Sequence, residues 1–133
     1  EYLEINNKKE KTMYEIITMP VETVDEAEER YSCLDRLIKN ERFEFAVVLQ
    51  SSGLKQECVN GYVDSATKRI IDAGIKELFV HETDPREALE VEAYAEMKGC
   101  QIETFVGSLE DAVKHIKPDD RRGLAWVNEP VLV

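Results

Sequence analysis

Basic residues are outnumbered in this 133-residue chain: 17 Lys and Arg stand against 28 Asp and Glu, a formal net charge of −11. That balance opposes nucleic-acid backbones and anionic membrane surfaces unless basic residues cluster. The pairs Lys8-Lys9, Lys68-Arg69 and Arg121-Arg122 are small and scattered, and read as solvated surface. Cysteine is limited to three residues. Cys33, Cys58 and Cys100 are odd in number and share no spacing, which excludes a disulfide framework and suggests reduced thiols in an intracellular protein. No apolar run approaches membrane-spanning length, and the first residues lack the apolar core of a signal peptide. A soluble, cytoplasmic protein is expected, and Glu1 in place of an initiator methionine suggests a processed or excised piece. Also missing are G-x-G-x-x-G, G-x-x-x-x-G-K-[ST] and G-x-S-x-G, and there is no internal repeat or low-complexity tract. No complete catalytic, metal or phosphate-binding signature occurs.

What is present is an alternation of helix and strand patterns with clear punctuation. Ser65 to Ala73 reads as a helix stopped by Gly74, and Leu78 to Val80 as a short strand. Asp84-Pro85-Arg86-Glu87 combines an N-cap, a proline at the first helical position and a capping-box glutamate, and Gly99 closes that helix. Ile102 to Val106 alternates apolar and polar residues, and Ser108-Leu109-Glu110-Asp111 opens a helix with a hydroxyl cap and two acids in its first turn. Upstream, Glu1 to Ile5 and Met13 to Met19 suggest a hairpin. Thr23-Val24-Asp25-Glu26 caps a helix with Ala27, Tyr31, Leu34 and Ile38 on one face, ending near Asn40. Phe43 to Leu49, the most apolar run, is the candidate central strand, and Gln50 to Tyr62 reads as a long loop. The resulting order, ββαβαβαβα, predicts a three-layer α/β/α sandwich with a mixed, mainly parallel sheet over residues 1–117. Residues 118–133 form a tail whose apolar side chains, Trp126 among them, should dock on the domain as an edge strand or on a neighbouring subunit. A homo-oligomer or a protein partner held through this tail is the expected assembly.

That order, together with Ala66-Thr67-Lys68-Arg69-Ile70-Ile71-Asp72-Ala73-Gly74-Ile75-Lys76 leading into Leu78-Phe79-Val80, resembles the cytidine and deoxycytidylate deaminase-like fold. Glu26-Ala27-Glu28 falls where that family carries its H-A-E motif. The resemblance covers most of the chain to about Phe105, and in sequence only Ala66 to Val80. It implies a zinc ion held by one histidine and two cysteines, with a glutamate shuttling protons. Here Glu26 stands at the histidine position and Val63 and Ala66 at the cysteine positions, leaving only Glu28 at the shuttle position. Valine and alanine offer no lone pair. The resemblance therefore implies a deaminase-like scaffold without metal or other cofactor, a non-enzyme acting by nucleotide or other ligand binding, or by assembly. A cluster rebuilt from Cys33, Cys58, Glu26 and Glu28 lacks ligands at fixed short spacing, so isolated hydrophobic cysteines are the preferred account.

Two alternatives stay open. One is a metal-free enzyme with Glu28 or His81 as general base. His81 closes a strand, where ligands of open α/β sheets bind, although a plain capping loop around Thr83 and Asp84 is the preferred account of the run. His115 reads as a rim residue favoured by a helix C-terminus. Ser51, Ser52, Gly53 and Asn60, in the long loop, are candidates for ligand binding through backbone amides. The other alternative is an unrelated α/β interaction domain, since the last βαβα piece is similar to the Lon-type terminal subdomain and the anti-sigma-antagonist fold. Ser65 and Lys68, three apart on one helix, do not match the Lon serine-lysine arrangement.

Overall fold

A computed structural model describes residues 2–6, 11–18, 24–49, 55–58, 61–116 and 121–127. Among these described residues, eight strands and four helices follow in the order β1 Tyr2–Asn6, β2 Lys11–Thr18, α1 Val24–Asn40, β3 Phe45–Leu49, β4 Lys55–Cys58, β5 Gly61–Asp64, α2 Ser65–Asp72, β6 Glu77–Glu82, α3 Pro85–Met97, β7 Gln101–Val106, α4 Leu109–His115 and β8 Gly123–Val127. Six strands form one sheet in the order β1-β2-β8-β3-β6-β7, and β4-β5 is a separate hairpin. Only β1-β2 is antiparallel within the large sheet; the other four pairings are parallel. No helix among the described residues is long and apolar enough to cross a membrane.

The layering follows from crossover handedness. From β2 to β3, β6 and β7 the chain steps in one direction across the sheet, so right-handed crossovers place α1, α2 and α3 on one face. The return from β7 to β8 reverses direction and carries α4 to the other face. Two core clusters record the result. Tyr31, Leu34, Ile70, Val91 and Ala95 from the three helices pack on Ala46, Val48, Val80, Leu124 and Trp126. Ala112, Leu109 and Val113 of α4 cover Phe45, Val47, Phe79 and Ala125. Alternate residues of β3 and β8 thus feed opposite clusters, and both strands are buried along their whole length.

Local signals account for the helix ends. Asp84 accepts the Arg86 N–H at 2.8 Å ahead of Pro85, and Ser108 accepts the Asp111 N–H at 3.1 Å. Gly74 and Gly99 supply the left-handed residues, φ 89° and 75°, just past α2 and α3. Thr23 lies outside the described residues.

The structure corrects three expectations. The stretch from Gln50 to Tyr62 is not all loop: Lys55 to Cys58 pairs with Gly61 to Asp64. Lys-Gln-Glu-Cys shows no apolar alternation, so the strand left no periodic trace. The strand read as Leu78 to Val80 runs on through His81 and Glu82, because β7 continues to pair with it as far as Phe105 and Val106. The segment 123–127 is an interior strand with β2 on one side and β3 on the other, where an edge strand or docking on a neighbouring subunit was expected. Its side chains are therefore used inside the sheet.

Candidate functional site

Buried polar side chains locate the site. The described residues hold five of them, Asp64, Ser65, Thr67, His81 and Glu82, and all five lie at the carboxyl end of the parallel strands. Burying such groups is costly unless the surroundings supply hydrogen bonds. Asp64 is the N-cap of α2, and its Oδ2 accepts both the N–H and the Oγ1–H of Thr67 at 3.1 Å. Ser65 begins that helix, and its Oγ accepts a hydrogen bond of 2.5 Å from Arg69 Nη1. Glu82 ends β6 on the face covered by α1, α2 and α3, in alternation with Leu78 and Val80. His81 points to the other face. Its Nε2 donates to the Gly107 carbonyl at 2.7 Å, because a carbonyl can only accept, and its ring lies 6.4 Å from that of Phe105. Phe105 in turn meets His115 at 4.3 Å, and His115 Nδ1 donates to the Asp111 carbonyl at 3.2 Å.

The hairpin β4-β5 stands at the same end, against α3. Glu90 on α3 accepts the Tyr62 N–H at 3.3 Å. Gly61 has φ 136°, and a Cβ there would come within 2.8 Å of Glu90 Cδ, so glycine allows the strand to approach the helix. Three helices, α2, α3 and α4, begin at this edge, each with a capping side chain from the residue before it.

His81 is thus a strand residue with 1% exposure rather than part of a capping loop; Thr83 and Asp84 make the turn and cap. Glu28 is exposed on α1, which packs on the face opposite His81, so the two candidate bases are not brought together. Val63 and Ala66 are 1% and 0% exposed within the apolar cluster. Ser51, Ser52, Gly53 and Asn60 lie outside the described residues, as do the side chains of Glu26 and Cys58. No group of three or more His, Cys, Asp or Glu able to hold a metal ion occurs among the described residues. Residue types alone did not reveal Asp64 or Glu90. The signal for Asp64 was available, since Asp64 and Thr67 stand in cap-and-N3 register; Glu90 depends on a hairpin that sequence periodicity did not show.

A cleft lies at the opposite end of the sheet. This cleft of about 390 Å³ is bordered by Phe45, Phe79, Gln101, His115, Ile116 and Arg121. Arg121 is committed there to a two-bond ion pair with Glu77, at 3.2 and 2.5 Å, and lies over the Phe45 ring. The two ends thus differ in chemistry. We assign the site to the carboxyl end, where the buried polar groups gather and where open α/β sheets take ligands, rather than to the cleft.

Away from both ends, Asp72 of α2 receives Lys68 Nζ at 2.8 Å, the Tyr94 hydroxyl from α3, and Lys98 Nζ at 3.8 Å. Burial opposes ionisation of Asp72, but the hydrogen bonds from Lys68 and Tyr94 and the two ammonium charges hold its carboxyl below the ordinary value. The Asp72 hydrogen bond holds Lys68 above its ordinary value, and burial pushes Tyr94 up. This is a clip between helices. Burial likewise raises the Cys100 thiol, which keeps it protonated and unreactive.

No family model, curated protein or solved structure matches this chain.

Proposed function

We propose that this α/β domain works by binding, not catalysis, and takes a nucleoside, rather than the nucleotide's phosphate, at the carboxyl edge of its sheet. The observation that carries the reading is the gathering of Asp64, Ser65, Thr67, His81 and Glu82 at that one edge. A strand end that only had to fold would be served by apolar residues, and concentrations of buried polar groups accompany sites. These groups hold the rim above them, where Thr83 and Ser108 are exposed, in fixed positions. Two of the three helix caps are carboxylates, Asp64 and Asp84, and Glu82 adds a third acid. Such an edge favours the hydrogen-bond donors of a base or ribose and disfavours a phosphate.

A deaminase-like scaffold without its metal centre is the finer form of this proposal. The antiparallel hairpin at one sheet edge and the unit from α2 to β6 support it. The buried apolar side chains at 63 and 66 support the absence of zinc chemistry. An enzyme using Glu28 or His81 as base draws less support, since one is exposed, the other is enclosed, and the sheet separates them.

Calorimetric titration with cytidine, adenosine, guanosine and their monophosphates tests the binding reading. Saturable heat without turnover, with no gain from the phosphate, is expected; the absence of heat from all six compounds would defeat it. Elemental analysis tests the scaffold reading separately, because one zinc per chain surviving mild chelation is incompatible with it.

A further inference from the structure

We infer that β7 is the interface of a two-fold symmetric dimer, in which the edges of two copies pair antiparallel and join their sheets. Among the described strands β7 ends the sheet, with β6 on one side and no strand on the other. The N–H of Gln101 donates to the Lys76 carbonyl at 2.8 Å, on the β6 side. Because inward and outward backbone groups alternate, Glu103 and Phe105 also bond toward β6, while the N–H and C=O of Ile102, Thr104 and Val106 point away from it. Edge strands are normally blunted by lysine, proline or a bulge. None of the three outward residues is charged or proline, and the pairing with β6 runs unbroken over all six residues of β7.

The edge matches itself in one register. With the two-fold axis beside Thr104, each Thr104 faces its counterpart and each Ile102 faces a Val106, so all three outward backbone positions of both copies are bonded. Glu103 then falls opposite Phe105 rather than another Glu103, which avoids like charges face to face. The side chains of Ile102, Thr104 and Val106 share the face toward α3, where the Thr104 hydroxyl donates to Glu92. Since α3 runs opposite to β7, Leu89, one turn before Glu92, lies toward Val106. These two are exposed at 66% and 41%, two of the four large apolar side chains the described residues leave open. The dimer covers both. A net charge of −11 on each copy opposes this contact, so pairing strengthens with salt. The inference does not depend on the ligand proposal.

Sedimentation equilibrium over a range of protein and salt concentrations, combined with amide hydrogen exchange, tests it. A monomer–dimer equilibrium favoured by salt is expected. The amides of Ile102, Thr104 and Val106 should slow as concentration rises, while those of Glu103 and Phe105 stay protected throughout. The double variant Leu89→Lys, Val106→Lys alters only exposed positions, and should raise the dimer dissociation constant about tenfold or more. A monomer under all conditions, a dimer in which the three outward amides still exchange fast, protection of them already in the monomer, or an unchanged dissociation constant in the double variant would each overturn the inference.

Discussion

Trp126 is fully buried in β8, and its ring stacks on Tyr31 of α1 with centroids 5.4 Å apart and planes 7° from parallel. Arg69 of α2 lies over the Tyr31 ring at 4.4 Å, and is itself held by Asp35 at 3.3 Å. One indole therefore ties an interior strand to two helices. Trp126→Ala should cost about 3–5 kcal/mol, a large part of the stability of an ordinary domain, and Trp126→Phe distinctly less; chemical denaturation measures both. Because Trp126 is the only tryptophan, its emission should be that of a buried indole and shift to the red in a single transition. Asp72 permits a prediction in pH. A carboxyl held below its ordinary value in the folded state stabilises the fold above the unfolded value, and that contribution disappears as pH falls through the folded one. Lys68 and Tyr94, both raised, contribute fully below their unfolded values and lose their contribution as pH rises through the folded ones. Stability should thus fall off at both acid and alkaline ends. Asp72→Asn should flatten both limbs and lower stability at neutral pH by only about 0.5–1 kcal/mol, since the side chain is 36% exposed and screened.

At the scale of elements, β8 and the β4-β5 hairpin separate what folds the domain from what equips it. Removing residues 123–133 deletes the strand between β2 and β3, so the truncated chain should lose cooperative unfolding altogether; a protein that kept a sharp thermal transition would contradict the interior placement. Gly61→Ala tests the hairpin. The added methyl meets Glu90 and the positive φ strains the backbone, so a loss of about 1 kcal/mol or more is expected, with faster amide exchange at Tyr62, whose N–H Glu90 accepts. Much of this architecture was legible in the sequence. α2, α3 and α4 announce themselves through Gly74, through Asp84 with Pro85, and through Ser108, and β3 through its apolar run, because caps and periodicity are local properties. The neighbours of β8 were not legible, since Gly-Leu-Ala-Trp-Val is apolar whether it lies at an edge or in the middle, and only the reversal of the α4 crossover decides. For the site, His81 stood out by residue type, but its burial did not, because two further residues of strand pairing with β7 enclose it.

For the whole molecule, the two faces of the sheet divide the work. Three helices and one large apolar cluster stabilise one face, α4 covers the other, and the buried polar groups collect at the strand ends between them. The chain carries a net charge of −11, so ligand affinity should change little with salt for an uncharged nucleoside and rise with salt for its monophosphate, as that repulsion is screened. Ligand binding at the carboxyl edge is read residue by residue in a titration of isotope-labelled protein with cytidine, adenosine and guanosine followed by backbone amide resonances. Saturable shifts for at least one of them are expected, centred on Asp64 to Thr67, His81 to Asp84 and Gly107 to Leu109, with Phe45, Glu77 and Gln101 at the opposite end unmoved. Shifts confined to that opposite end, around the cleft beside Arg121, or no shifts with any of the three, would contradict binding at the carboxyl edge.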